Sequence, residues 1–284
     1  MQVKDLYAVM TTSSRAVHPH ASRALALVAA LGANLAAASD GMAQDAADAQ
    51  AQANNPLANT TSLNLQNQFT GRLSGFGEPA NSGLLRAAQP FSIGDSHWIG
   101  RATLPISTYP RQPDGPHETG LGDFNIFAAY LIDVGNPGIN FGIGPQLTAP
   151  TATDRSLGSG QWAAGFANVL FVATNPEWQY GYLLTWQARI AGGSNRPGVN
   201  VGNLQPFLFR QLGEGWYLRS TGVSTYNFDN NAYSVPIGLG IGKVLHVGNA
   251  VMNVFVEPQY SVLRHGPGQP EWGVFAGVNF QFRL

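Results

Sequence analysis

The stretch GVFAGVNFQFRL (residues 273–284) alternates to its last residue. Its even positions Val274, Ala276, Val278, Phe280, Phe282 and Leu284 are all apolar. Its odd positions run Gly273, Phe275, Gly277, Asn279, Gln281 and Arg283, and past Phe275 they are small or polar. A period of two is the mark of a strand, whose successive side chains point to opposite faces. One such strand suits a half-buried soluble sheet as well as a membrane wall, so recurrence along the chain decides.

The pattern recurs. In INFGIGPQLTA (139–149) the odd positions are apolar, from Ile139 to Ala149, and Asn140, Gly142, Gly144, Gln146 and Thr148 lie between them. In WQYGYLLTWQARI (178–190) the apolar set is even, and Gln187 and Arg189 fall on the other face. YSVPIGLGIG (233–242) and MNVFVEPQYSV (252–262) follow the same rule, the second placing Asn253, Glu257 and Gln259 opposite its apolar face. Runs of about ten residues suit a tilted membrane-spanning strand, whereas soluble strands are typically about five or six. Trp98, Tyr109, Trp162, Trp178, Trp216, Tyr226, Tyr233 and Trp272 sit toward strand ends, as interfacial girdles require.

Composition agrees. Charged residues are 11% of the 284, against roughly 25% in soluble chains. Mean hydropathy is nonetheless near zero, as expected when apolar and polar faces average out along each strand. There is no cysteine, hence no disulfide framework and no thiolate metal site. A formal net charge of −1 gives no surface for nucleic acid.

The N-terminus reads as a secretory signal. ALALVAALGANLAAA (24–38) is an apolar core preceded by Arg15 and Arg23 and followed by Gly41 and Ala43 at the small-residue positions of a cleavage site. Residues 1–43 are therefore expected to be a signal peptide cleaved after Ala43, from a start at Met1 or Met10; the alternative is an anchor helix. Residues 44–60, rich in Ala, Gln, Asn and Asp without an apolar period, read as a flexible lead-in.

From about Asp95 the connections alternate short and long, as in an up-and-down meander with one crowded rim. Counting between them gives eleven strands, and one more within 61–72 makes twelve. The expected fold is all-β: a closed antiparallel transmembrane barrel of about twelve strands over residues 61–284, in a bacterial outer membrane, both termini periplasmic. In a closed barrel the last strand pairs with the first, so an alternating pattern can run to the final residue.

The chain's ending resembles the C-terminal assembly signal of bacterial outer-membrane proteins through Gly277, Phe280 and Phe282, with Leu284 in place of the usual final Phe. TGLGDFNIFAAYL (119–131), GIGPQLTAPTATDRSLGSGQWAAG (142–165), LQPFLFRQLGEGWYL (204–218), VPIGLGIGKVLHVGN (235–249) and PEWGVFAGVNFQF (270–282) together resemble the "MetA-pathway of phenol degradation" family of transporter-like barrels. That resemblance implies an outer-membrane barrel that passes aromatic or other small organic compounds. Outer-membrane lipid, the barrel-assembly machinery and a small organic solute are the implied partners.

No catalytic constellation is legible. Asp95 with His97 and His117 with Glu118 fall in turns or loops, and SLGSG (156–160) lacks the strand–turn–helix of a nucleophile elbow. The chain is therefore read as not an enzyme, with no cofactor and no metal ligands. The lumen candidates are Gln187, Arg189, Lys243, Asn253, Glu257, Gln259, Asn279, Gln281 and Arg283. They either line a solute path or fill a packed interior. The inward glycines Gly238, Gly240 and Gly242 leave room and favour the path, in which Glu257 and Arg189 would be wet. A structural barrel with a packed lumen and partner-binding loops is the alternative; a lipid-modifying enzyme ranks last.

Overall fold

In the computed structural model, residues 52–282 are described, apart from 194 and 249. Alternation turns into strands throughout. Fifteen strand segments form one sheet, and three pairs of them run in line, so twelve strands result. They are β1 (Thr61–Leu73), β2 (Ala80–Ile93), β3 (Ser96–Pro110), β4 (His117–Leu121 and Phe124–Ile132), β5 (Ile139–Ala149), β6 (Gln161–Val172), β7 (Trp178–Gly192), β8 (Asn200–Gly213), β9 (Trp216–Ser220 and Ser224–Asn227), β10 (Tyr233–Gly238 and Gly240–Val247), β11 (Ala250–His265) and β12 (Pro270–Phe282).

The sheet closes as the terminal alternation requires. β12 pairs antiparallel with β11 on one side and with β1 on the other, Phe282 lying opposite both Ala250 and Thr61. All pairings around the ring are antiparallel and between neighbours in sequence, apart from this closing seam. No strand edge is left to satisfy, which is the condition for crossing lipid as a sheet. Among the described residues no helix is long and apolar enough to cross a membrane.

Turns at one rim are tight, as at 94–95 and 214–215; those at the other are longer, up to residues 150–160. Thr61 and Phe282 both lie at the tight-turn rim. Outward positions carry exposed apolar side chains such as Leu65, Ile106, Ile143, Leu208, Ile237 and Leu239, the last 69% exposed. An apolar exterior on a closed sheet is the inverse of a soluble fold and is the surface lipid requires. Aromatics mark both rims. Trp98 packs on Tyr130 at 5.3 Å between centroids near the tight turns, and Phe69 meets Trp272 edge-on at 6.0 Å near the long loops. Tyr109 departs from the expected girdle: it faces the interior, sharing a cavity with Gln205 and Gln259.

Candidate functional site: the barrel interior

The inward faces divide into three levels. At the tight-turn end lies an apolar cluster, with Ile99, Phe171, Phe209, Tyr217 and Val244 all buried. Residues 52–60 reach into this mouth. Ala53 and Leu57 are buried in the cluster, Leu57 being 2% exposed. Asn55 Oδ1 accepts from Leu57 N at 2.9 Å, an Asx-type turn that folds the segment back on itself. Asn253 Nδ2 donates to Ala53 O at 3.2 Å and to Asn54 Oδ1 at 3.0 Å, and Gln281 Nε2 donates to Gln52 O at 3.1 Å. Of the lead-in expected over 44–60, residues 52–60 lie in this mouth. The barrel wall supplies the apolar contacts and polar partners that the segment's own composition lacks. The signal peptide and residues 44–51 lie outside the described residues.

The middle level holds the charges. Glu257 is fully buried, and four donors converge on its carboxylate. Arg219 Nε, Thr221 N and Thr221 Oγ1 each approach to 2.8 Å, and Gln259 Nε2 to 3.0 Å. The break in β9 at 221–223 makes this possible, because it turns the Thr221 backbone N–H inward to the carboxylate. The Arg219 guanidinium stacks on Phe255 at 3.6 Å, with Phe275 at 5.5 Å. Glu257 is thus inward as expected but dry and paired.

The glycines opposite are filled too. A Cβ on Gly240 would lie 2.7 Å from the Glu257 Cβ, and one on Gly242 would fall within the Tyr217 ring. Gly238 likewise borders the Glu257 carboxylate. The room these glycines leave is taken by Glu257 and Tyr217, whose hydroxyl donates to Asn253 Oδ1 at 2.5 Å. The inference from glycine to open space is corrected at this level.

Two other arginines share it without acidic partners. Arg86 on β2 and Arg101 on β3 face the interior, Arg86 lying opposite Thr103 and Arg101 opposite Ala88. Arg86 Nη1 donates to Gln66 Oε1 at 2.7 Å, and Gln66 Nε2 donates in turn to Asn279 Oδ1 at 2.8 Å. Arg101 stacks on Phe127 at 4.4 Å. Among the described residues the ion pairs involve Arg72, Arg111, Arg219 and Arg264 only. The sequence reading missed Arg86, Arg101 and Arg219. The signal was present: an arginine deep in a membrane-spanning strand costs about 2–4 kcal/mol on the lipid face, so it favours the interior.

The outer level is polar and open. Gln187 accepts from Gln146 Nε2 at 3.0 Å and Thr148 Oγ1 at 2.7 Å. A cavity of about 390 Å³ runs from here past Asn203 and Gln205 to Arg86 and Arg101. A second, of about 340 Å³, lies along Gln68, Gln205 and Gln259 and also reaches Arg86. A third space, of about 130 Å³, lies between the arginines and residues 53–60.

Of the remaining candidates, Asn253, Gln259, Asn279 and Gln281 face inward as expected. Arg189 is exposed at the long-loop rim, opposite Ala163, remote from Glu257 on β11. Lys243 is corrected: it faces outward, its Nζ 4.8 Å from the Trp216 ring and donating to Glu214 O at 2.6 Å. A lysine near a rim can lie along the apolar exterior and lift its ammonium to the polar turn. Phe280 and Phe282 face outward opposite Leu63 and Thr61, and Gly277 faces inward beside Phe255. Arg283 and Leu284 lie outside the described residues.

Loop 150–160 is tied down at the outer mouth. Asp123, at the break in β4, accepts from Ala152 N at 3.2 Å, Ser159 N at 2.6 Å and Ser159 Oγ at 2.8 Å. The backbone N–H and hydroxyl of Ser156 hold the Asp154 carboxyl below the usual carboxylate range, and Arg111, 2.8 Å away, adds to this.

No family model matches the chain, and no curated protein matches it. Solved structures do. The COG4313 outer membrane channel from Pseudomonas putida F1 is similar over 78% of this chain and 94% of its own, at 14% identity and a TM-score of 0.59. The NanC porin is similar over 78% of this chain and 100% of its own, at 8% identity and a TM-score of 0.50. At such identities the likeness is one of fold, and the fold is that of bacterial outer-membrane barrels.

The reading of the chain as not an enzyme is corrected. Outer membrane phospholipase A from Escherichia coli is also among the similar structures, over 86% of this chain and 99% of its own, at 12% identity and a TM-score of 0.43. That TM-score assigns no activity here. Ser92 Oγ and His97 Nδ1 lie 3.1 Å apart across the β2–β3 hairpin, exposed at the tight-turn rim.

Proposed function

We propose that the barrel is a passive outer-membrane channel for small organic solutes. The observation that supports this best is the run of cavities with mixed polar and apolar walls, about 390 and 340 Å³, leading from the long-loop end to Arg86. A lumen that served only as a packed stave would fill this half with side chains, as it does at the tight-turn end. Residues 52–60 occupy the tight-turn end of this path. Similarity of fold to an outer membrane channel and a porin fits the reading.

In this reading residues 1–43 direct export, the assembly machinery recognises the β12 end, and the tight-turn rim faces the periplasm with both termini. The chain has no cysteine, so single introduced cysteines test the orientation. Ser156→Cys in the long loop should react with a membrane-impermeant maleimide on intact cells, and Asn136→Cys in a tight turn only after lysis. The reverse pattern would invert the barrel.

Passage itself is tested by swelling of proteoliposomes in isotonic solutions of small organic solutes. Swelling should exceed that of empty liposomes for a single-ring solute and stop for one several times larger. Rates equal to empty liposomes, for the full chain and for a chain lacking residues 52–59 alike, would overturn the channel reading.

A further inference from the structure

We infer that Arg86, Arg101 and Thr103 form a binding site for the carboxylate of a small organic anion, set across the solute path. The inference rests on the channel reading for its meaning, because it names the class of solute that path selects.

Three observations converge on one spot. Arg86 Nε, Arg101 Nε and Thr103 Oγ1 are buried and have no hydrogen-bond partner. Buried polar groups in folded proteins are nearly all paired, so three unpaired donors side by side mark a place built for a partner. Register puts them together: Arg86 lies directly opposite Thr103, and Arg101 is two residues away on the same face. A diagonal offset of this kind leaves side chains within reach of one another.

Charge points the same way. Two like charges on adjacent strands repel unless something negative lies between them. The nearby carboxylates are committed elsewhere. Glu257 is saturated by Arg219, Thr221 and Gln259. Asp123, at the outer end of the same cavity as Arg101, is engaged by the 150–160 loop. The two guanidiniums are also held in place, Arg86 through Gln66 and Asn279, Arg101 by the face of Phe127. A guanidinium stacked on a ring keeps its N–H edge free for a planar acceptor.

The surroundings specify the rest of the ligand. The cavity has room for a single-ring molecule, with Leu183 and Pro105 along it and Phe207 and Phe275 bordering the space below. Carboxamides, such as Gln146 and Gln205, supply neutral hydrogen bonds without competing charge. An apolar or aromatic body carrying one carboxylate fits this better than a cation or a neutral sugar.

Calorimetric titration of the refolded full chain with sodium benzoate, and with benzamide as the neutral analogue of the same shape, tests the site. Benzoate should bind saturably, with benzamide at least about tenfold weaker, the loss expected when a charge-assisted contact is removed. Arg86→Gln and Arg101→Gln should each weaken benzoate by about tenfold or more. Arg101→Lys should recover part of the loss, and heat-modifiable migration on gels should confirm that each variant is closed. Equal binding of benzoate and benzamide, unchanged binding in a folded variant, no binding at all, or displacement of benzoate by equimolar chloride would each overturn the site. Because binding is read without transport, such a result would leave solute passage to be judged on its own measurement.

Discussion

Replacing Glu257 by glutamine should destabilise the barrel by about 3 kcal/mol, the low end of the cost of breaking a buried ion pair. The substitution keeps the shape. Its Oε1 can still accept from Thr221 N, but its amide hydrogens face Arg219 Nε and the Thr221 hydroxyl, donors that now hold the carboxylate at 2.8 Å. The Arg219 guanidinium would remain buried, 6% exposed, with the Phe255, Phe275 and Phe209 rings and the Thr221 and Tyr217 hydroxyls around it but no counter-ion. Aromatic faces contribute to a cation only about 0.5–2 kcal/mol, too little to replace a counter-ion. Arg219→Met combined with Glu257→Gln should recover part of the loss, since neither charge is then stranded. Urea unfolding in lipid vesicles reads both effects. A single variant within about 0.5 kcal/mol of the original, as for ordinary surface changes, would mean that Glu257 is wet after all.

Much of this architecture was legible because strand alternation and loop length are local signals. The pattern at 273–284 demanded a barrel wall, and the observed partner of Phe282 on one side is Thr61, as closure requires. Strand number followed from the turns. What the sequence hid depends on contacts across the barrel. Gly240 and Gly242 signal open space only if nothing opposite enters it, and Glu257 and Tyr217 do. Residues 52–60 have too few apolar groups to fold alone; Leu57 finds its cluster among strands from 42 to 194 residues further along the chain, Ile99 to Val251. Lys243 was misplaced for a different reason. It shares the odd, outward phase of Ile237 and Ile241, and that phase rather than its charge sets the side it faces. At a rim the rule that charge faces inward fails, because the ammonium reaches Glu214 O. Arg86 and Arg101, well inside their strands, are the positions where it holds.

The second large effect concerns residues 52–60, and it bears on whether the interior is a path at all. Ala53 and Leu57 sit in the apolar cluster, yet few hydrogen bonds tie the segment to the wall, namely those from Asn253 and Gln281. Deleting residues 52–59 removes Leu57 from the cluster but leaves every strand pairing, since β1 begins at Thr61. The barrel should still close, at a cost of about 1.5–3 kcal/mol for one large apolar side chain no longer buried. The space of about 130 Å³ below Arg86 and Arg101 would then join the tight-turn mouth. Current must cross every section of a pore, so opening this mouth acts on the whole path. The decisive measurement is single-channel conductance in planar bilayers of the refolded full chain and of the chain lacking residues 52–59. The expected result is small or intermittent current from the full chain and a several-fold larger, steady current from the shortened one. Absence of current from both, with the shortened chain closed and folded, would contradict the claim that solutes pass through this barrel.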